Sequence, residues 1–175
     1  MQTKLWRLTN KNLQQELVEP ANLIKAGELV AFPTETVYGL GANGLNPAAC
    51  KKIFAAKGRP ADNPLILHIS KLEEIYPLTS GLTATAQKLA AAFWPGPMTM
   101  IVRKSELVSD VVTAGLDTVA VRMPSNAIAN TFIAVAGCPI AAPSANKSGR
   151  PSPTRAEDVL ADMEIVIWEP AKTEK

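Results

Sequence analysis

The sequence has little of what several common kinds of site require. It contains one histidine, two cysteines and no apolar run near the roughly eighteen residues that a membrane helix needs. Cys50 and Cys138 are too few and too far apart for a disulfide framework or a zinc site with paired ligands. We therefore expect free thiols, no protein-held metal and no membrane contact.

Signals for export and for two large enzyme classes are also missing. Residues 1–12 are mostly polar and contain no apolar signal region, so we expect a cytoplasmic protein. Ser144 lies outside any Gly-x-Ser-x-Gly turn, which disfavours a serine hydrolase. The glycines of residues 39–44 are spaced like a dinucleotide-binding motif. Residues 33–38 separate them from the preceding strand, however, and no helix begins inside the motif, so a nicotinamide or flavin site is disfavoured.

The composition predicts one globular domain over residues 1–175. The chain is 47% hydrophobic and 19% charged, with a net charge of +2. Residues 1–60 carry eight basic and four acidic side chains, and Lys51, Lys52, Lys57 and Arg59 lie close together in the sequence. This basic cluster fits either a surface that attracts nucleotide or RNA phosphates or a solvated helix face, and both interpretations stay open here.

Apolar periodicity and capping residues predict alternating helices and strands. Helices are predicted from Leu13 to about Gly27 with an interruption at Pro20, at 46–57, 83–93 and 125–136, and after a capping box of Thr154 and Glu157. Strands are predicted at 29–32, 65–69, 98–102, 119–123, 140–142 and 163–168. The alternation predicts a mixed α/β fold with helices covering a twisted sheet, and leaves open which strands are parallel.

Three segments predict a phosphate-handling pocket. Hydroxyls at Thr34, Thr36 and Tyr38 follow a buried strand, where ligands of open α/β sheets bind; a capped turn with glycines at positive φ is the alternative. The segment 57–68 places two cations one residue apart ahead of the only histidine, as an anion site would. The segment 142–146 supplies hydroxyl and amide groups directly after an apolar run.

Five blocks of the sequence, in order, resemble the YrdC family of threonylcarbamoyl-adenylate synthases. They are 32–41 (FPTETVYGLG), 57–68 (KGRPADNPLILH), 94–99 (WPGPMT), 119–124 (VAVRMP) and 143–149 (PSANKSG). Several blocks at matching separations are far more specific than any single one.

The resemblance implies a twisted, open, mixed sheet flanked by helices, with a large basic central cavity. It implies a nucleotidyltransferase that joins L-threonine, bicarbonate or CO2, and ATP into L-threonylcarbamoyl-adenylate and releases pyrophosphate. Mg2+ would accompany the ATP. The product would pass to a tRNA threonylcarbamoyl-transferase complex, which forms N6-threonylcarbamoyladenosine at position 37 of tRNA.

The matching positions imply specific roles for residues of this chain. The implied catalytic residues are Lys57 and Arg59. The implied ATP-binding residues are Arg59, Asn63, Thr118, Ser144, Asn146 and Ser152. The implied threonine-binding residues are Thr36, His68, Arg122 and Ala142, where Arg122 suits a carboxylate through a two-pronged hydrogen bond.

The resemblance weakens at the C-terminus and leaves a second hypothesis open. Family members usually continue into a Ser-Thr pair, an apolar strand and an Arg-Pro-Gly-like turn, whereas residues 169–175 here are mostly polar, so we expect a shortened end. The alternative function is a catalytically weakened YrdC-like domain that binds double-stranded RNA or tRNA through phosphate contacts. Pyrophosphate release from ATP, threonine and bicarbonate distinguishes the two.

Overall fold

The computed structural model describes residues 5–9 and 11–163, and the backbone of the last strand. The strands are β1 (Leu5–Leu8), β2 (Val30–Phe32), β3 (Gly39–Asn43), β4 (Ile66–His68), β5 (Thr99–Arg103), β6 (Thr118–Arg122), β7 (Ile140–Ala141) and β8 (Val166–Pro170). The helices are α1 (Leu13–Glu16), α2 (Val18–Lys25), α3 (Pro47–Lys57), α4 (Ala84–Phe93), α5 (Asp110–Thr113), α6 (Ala127–Ala136) and α7 (Ala156–Asp162), with a 3-10 helix at Leu72–Leu78. Of the helices in these ranges, none is long and apolar enough to cross a membrane.

The strands form one open, mixed sheet. Their order is β1-β8-β2-β3-β7-β4-β6-β5. The pairs β1–β8, β2–β8 and β4–β6 are parallel. The pairs β2–β3, β3–β7, β4–β7 and β5–β6 are antiparallel. The expected mixed α/β class and open sheet are therefore confirmed, and the structure supplies the strand directions that the sequence pattern left open.

The two faces of the sheet pack into separate apolar clusters. Because successive side chains of a strand point to opposite faces, Val30 and Phe32 of β2 join one cluster and Ala31 joins the other. The first cluster includes residues of α2 and α6, which pack against each other. The second includes residues of α3, α5 and α7. Helices thus cover both faces, as predicted.

The helix at residues 47–57 forms as its capping residues predict. The Asn46 side chain accepts hydrogen bonds from the Ala48 and Ala49 amides at 3.0 and 3.2 Å. Pro47 occupies the first turn, where its missing N–H needs no partner. Gly58, with φ of +58°, ends the helix in the left-handed conformation. This ending places Lys57 and Arg59 on either side of a tight turn at the edge of the core.

Two details of the predicted helices are wrong. The first helical segment is interrupted at Leu17 and not at Pro20, because Pro20 lies in the first turn of α2, where a proline costs no hydrogen bond. The capping box of Thr154 and Glu157 does not form: α7 starts one residue later, with Arg155 at its N-cap and no side-chain cap bond. The sequence reading also missed β1, α5 and the 3-10 helix.

The glycine-rich segment is a strand and not the turn that the sequence alternative suggested. Leu40 and Ala42 of β3 are fully buried in one cluster, and the intervening glycines face the other. A Cβ on Gly41 would lie 2.8 Å from the Ile140 Cγ2 and 2.9 Å from a Phe32 ring carbon. The missing side chain therefore lets the Phe32 ring lie across the sheet, and no positive φ is involved.

We predict that Gly41→Ala destabilises the fold by about 1–3 kcal/mol, since the added methyl overlaps core atoms that cannot move freely. Gly39→Ala is the matched control, because its Cβ would meet Ala142 and Phe32 atoms at an ordinary 3.4 Å. Urea denaturation of both variants provides the test. Equal stabilities would show that close packing does not explain the glycine at position 41.

Candidate active site

The helices leave one part of the sheet uncovered. On β6, Val119 and Val121 point into the core, so Thr118, Ala120 and Arg122 share the opposite face. Ala120 pairs with Ile101 on one side and Ile66 on the other. Ile101 is 73% exposed, although it lies in the middle of a strand. We call the uncovered face of β4, β6 and β5 the floor.

One polar cluster lies where β4 and β6 end. His68 and Arg122 pair in register there, and both are buried. Both terminal nitrogens of Arg122 donate to the Thr36 hydroxyl, at 3.3 and 3.2 Å. Arg122 Nη2 also lies 2.8 Å from Glu35 Oε1. The expected threonine-binding residues Thr36, His68 and Arg122 are thus brought together, and we call this group the Arg122 cluster.

A hydroxyl turn shapes the loop that carries Glu35 and Thr36. The Thr34 hydroxyl accepts hydrogen bonds from the Thr36 and Val37 amides at 3.2 and 3.3 Å and lies 2.7 Å from the Val37 carbonyl. Such side-chain bonds fix the backbone of a short loop. The loop therefore holds the Thr36 hydroxyl in place for the guanidinium of Arg122.

The tautomer of His68 follows from its surroundings. Its Nδ1 lies 3.2 Å from the Ile66 carbonyl and 3.3 Å from the Ile140 carbonyl, both of which only accept hydrogen bonds. Nδ1 therefore carries the proton, and Nε2 is an acceptor. Burial first, and then the charge of Arg122, lower the pKa of His68 to about 4, so the ring is neutral at pH 7.

A second polar cluster joins the end of α3 to the segments just before β4 and just after β7. The Lys57 ammonium, 4% exposed, donates to the carbonyls of Ser144 and Asn146. Arg59 Nη2 donates to the carbonyls of Asn63 and Pro64, both at 3.2 Å. We call this group the Lys57 cluster. It joins the two segments that the sequence singled out for phosphate handling.

Burial changes the protonation of Lys57. Desolvation, followed by the nearby charge of Arg59, lowers the pKa of Lys57 to about 8. Desolvation also lowers the pKa of Arg59. The ammonium still carries its charge at pH 7, and two of its three N–H donors are bonded to the backbone of residues 144–146. The first role that the structure shows for Lys57 is therefore to hold this backbone.

Strand β6 relates the expected ATP-binding residue Thr118 to the Arg122 cluster. Thr118 begins this strand and Arg122 ends it. Thr118 and Arg122 are four residues apart on one strand, which corresponds to about 13 Å. The expected ATP-binding residue Thr118 and the Arg122 cluster therefore lie on the same face of β6, whereas α3, which ends at Lys57, packs in the apolar cluster on the other face.

The remaining expected residues lie around these clusters. The Ala142 amide donates to the Ile66 carbonyl at 2.9 Å, which leaves only the Ala142 carbonyl for a ligand. The Asn146 side chain donates to the carbonyls of Lys147 and Arg150 and has a buried oxygen without a partner. Ser152 is exposed and lines a cleft of about 370 Å³ next to Arg150 and Asp162.

The large central cavity remains a prediction. Three clefts in the described part of the chain are lined mainly by other residues, and Ser152 is the one expected site residue among their walls. In the same part of the chain, no three His, Cys, Asp or Glu side chains are grouped so that they could hold a metal ion.

Sequence reasoning missed Glu35 as a residue of the site. It lies between two threonines in the first matching block, and its contact with Arg122 spans 87 positions of the chain. The available signal was a carboxylate three residues after an apolar strand, in a loop whose hydroxyls were already expected to contribute to a pocket.

The fold and the paired clusters define an open, mixed-sheet α/β protein with a polar site on one uncovered sheet face. The Sua5–YciO–YrdC family model, described as "Telomere recombination", matches residues 22–167. The chain belongs to this family.

Curated relatives and solved structures agree with this assignment. The threonylcarbamoyl-AMP synthase of Pyrococcus abyssi is 58% identical over 143 residues, 82% of this chain and 42% of the relative. That of Bacillus subtilis is 49% identical over 171 residues, 94% of this chain and 49% of the relative. This chain thus spans a little under half the length of these relatives.

Among solved structures, P. abyssi Sua5 complexed with L-threonine matches with a TM-score of 0.91 and 51% identity, over 94% of this chain and 50% of that one. Escherichia coli YciO matches with a TM-score of 0.80 at 20% identity, over 95% of this chain and 82% of that one, and so shares the fold.

We predict that Lys57 titrates near pH 8 in the folded protein, because burial disfavours its charged form. The unfolded chain then binds more protons between pH 8 and about 10.5, so this group makes the free energy of unfolding rise with pH in that window. Lysine ¹³Cε NMR provides the test, with Lys57→Met to assign the resonance. Titration of the Lys57 signal above pH 10 would contradict the buried, carbonyl-bound ammonium.

We predict that His68 makes stability fall as the pH drops from 6.5 towards 4. Its folded pKa of about 4 lies below the usual 6.5, so the unfolded state takes up the proton first. His68→Asn can keep a donor near the Nδ1 position and cannot take up this proton. Urea denaturation between pH 6.5 and 5 should show a shallower loss of stability for the variant, whereas equal slopes would contradict a buried neutral imidazole.

Proposed function

We propose that this chain synthesises L-threonylcarbamoyl-adenylate from L-threonine, bicarbonate or CO2, and ATP, with release of pyrophosphate. The observation that carries the proposal is the assembly of the expected site residues into two polar clusters, one around Arg122 and one around Lys57. The shared name of the relatives, threonylcarbamoyl-AMP synthase, and the threonine complex of P. abyssi Sua5 support it.

In this proposal the Arg122 cluster binds threonine. The guanidinium of Arg122 is a strong donor for a carboxylate, and its Nε is buried without a partner, ready for an acceptor. His68 Nε2 accepts a hydrogen bond from the threonine hydroxyl. The Ala142 carbonyl would be a further hydrogen-bond acceptor for the substrate. These groups together match the carboxylate and hydroxyl of a small β-hydroxy amino acid.

The Lys57 cluster and Thr118 bind ATP in this proposal. Arg59 has a buried Nε without a partner, which suits a phosphate oxygen. Lys57 holds the backbone of Ser144 and Asn146 in position and adds a positive charge there. Asn63 and Ser152, which are both exposed, would contact outer parts of the nucleotide. Mg2+ would accompany ATP and be held mainly through phosphate oxygens.

The chemistry needs positioning and charge neutralisation more than a protein nucleophile. The threonine ammonium first loses a proton to become a neutral amine. The amine then adds to CO2 to form a carbamate and releases a second proton. A carbamate oxygen then forms a bond to the α-phosphorus, and the bond from that phosphorus to the pyrophosphate oxygen breaks. Arg59 and Lys57 would stabilise the charge on the departing pyrophosphate, which is the role of catalytic residues here.

The product would serve tRNA modification. A mixed anhydride of this kind is reactive, and a tRNA threonylcarbamoyl-transferase complex would take it up to form N6-threonylcarbamoyladenosine at position 37. Threonine, ATP and bicarbonate or CO2 are thus the proposed small partners, and the transferase complex is the proposed consumer.

The structure disfavours the alternative of an RNA-binding module built on the basic cluster. Lys57 is buried and bound to carbonyls, and Lys52 forms an ion pair with Glu28 at 2.9 Å. Arg59 donates to the carbonyls of Asn63 and Pro64, so three of the four cations are already engaged within the protein. Phosphate contacts by an RNA need a continuous exposed basic surface, so the synthase reading is preferred.

We predict that the 175-residue chain releases pyrophosphate only when ATP, threonine and bicarbonate are all present. Arg59→Ala should lower kcat/KM by on the order of 100-fold, about 3 kcal/mol, because a donor to the developing phosphate charge is lost. A coupled pyrophosphate assay measures this change. Lys88→Ala, at an exposed position of α4, is the control and should behave like the parent chain.

Two outcomes would overturn the proposal. Pyrophosphate release that does not depend on threonine would exclude the carbamoylation route. No release by a folded parent chain that still binds double-stranded RNA would favour the binding module instead.

A further inference from the structure

The Arg122 cluster contains an ion pair that the proposed threonine contacts leave without a role. Glu35 Oε1 lies 2.8 Å from Arg122 Nη2, and the two side chains are only 18% and 10% exposed. Burying such a pair costs desolvation free energy, which is offset only if its remaining hydrogen-bonding atoms have partners.

Each member of the pair has a buried atom without a hydrogen-bond partner. On Arg122 it is Nε, which donates. On Glu35 it is Oε1, which contacts Arg122 without hydrogen-bonding geometry and can accept. A ligand that satisfies both atoms must present an acceptor and a donor side by side. The carboxylate and ammonium of an α-amino acid provide this combination.

Glu35 is held in its position and in its ionised form. The Asn126 amide, at the start of α6, lies 3.4 Å from Glu35 Oε2 and donates to it. The positive end of this ten-residue helix favours a carboxylate. Burial acts to raise the pKa of Glu35, but the close contact and charge of Arg122 and the backbone donors outweigh it, and the pKa is lowered. Glu35 is therefore a fixed anion next to the substrate carboxylate site.

We propose that Glu35 binds the α-ammonium group of the amino acid substrate while Arg122 binds its carboxylate. This inference rests on the proposed function, since it assigns a further contact to the same substrate. It predicts that the site selects amino acids against hydroxy acids of the same shape that lack the amine. Glu35 and Arg122 also neutralise each other directly, since Glu35 Oε1 lies 2.8 Å from Arg122 Nη2.

A different role for Glu35 is purely mechanical. If Glu35 only held Arg122 in its rotamer, its loss would weaken every carboxylate ligand equally. The two roles therefore differ in how the amine-free analogue behaves, and not in how tightly threonine binds.

Calorimetric binding of L-threonine and of 3-hydroxybutanoate, which lacks the amine, separates these roles. The parent chain should bind threonine at least about 10-fold more tightly than 3-hydroxybutanoate. Glu35→Gln should weaken threonine binding by about 10–100-fold, because a charge-assisted hydrogen bond is lost. It should change the affinity for 3-hydroxybutanoate by less than about 3-fold, so that the variant no longer binds threonine much more tightly than 3-hydroxybutanoate. Glu28→Gln, which removes the carboxylate from the exposed pair with Lys52, is the matched control and should preserve the preference.

Each other outcome overturns the inference in a recognisable way. Equal weakening of both ligands in Glu35→Gln means that Glu35 only positions Arg122. Unchanged threonine binding means that Glu35 does not contact the substrate. If Glu35→Gln fails to fold, the parent chain still decides, because equal affinity for the two ligands excludes an ammonium site. Absence of threonine binding to the folded parent chain refutes the proposed function itself, which is a different failure.

Discussion

The side-chain alternation of β6 determines how the core and the site are related. Val119 and Val121 anchor the strand in the apolar cluster beneath it, and this anchoring forces Thr118, Ala120 and Arg122 onto the opposite face. Because β4 and β5 pair with β6 on its two sides, their outward residues join the same face. A register shift of one residue would exchange the two faces and place Arg122 in the core. The packing of the valines therefore also positions the polar site.

Buried charges are the second constraint. Arg122 and Lys57 are both buried, and each gives up solvation that it regains only in part from the protein. Lys57 is compensated by two backbone carbonyls of a loop nearly ninety positions away, which ties the end of α3 to the end of β7. Arg122 is compensated by Glu35 and Thr36 from a single loop. In both places one arginine donor, Nε of Arg122 and Nε of Arg59, has no hydrogen-bond partner in the protein. Unpaired donors of this kind are typical of sites that bind an anionic ligand.

The parts of the fold that the sequence predicted well are those with local causes. Asn46 and Gly58 bound α3 as expected, and Thr83 caps α4 through the Ala86 amide. β3 was missed because a Gly-rich strand has no apolar alternation to detect, and its small residues are explained only by the Phe32 ring from the neighbouring strand. The break at Leu17 was misplaced because Pro20 is the visible helix breaker, although a first-turn proline breaks nothing.

For the candidate site, the sequence by itself determined which segments carry polar groups next to buried strands, and the order of the matching blocks determined the family. Chain neighbours and short-range periodicity are enough for that. Only the tertiary structure decided that Arg122 meets Glu35 and Thr36, and that Lys57 meets the carbonyls of Ser144 and Asn146. These contacts join residues more than eighty positions apart, and they depend on strand order and register, which are set by the packing of the whole sheet against its helices.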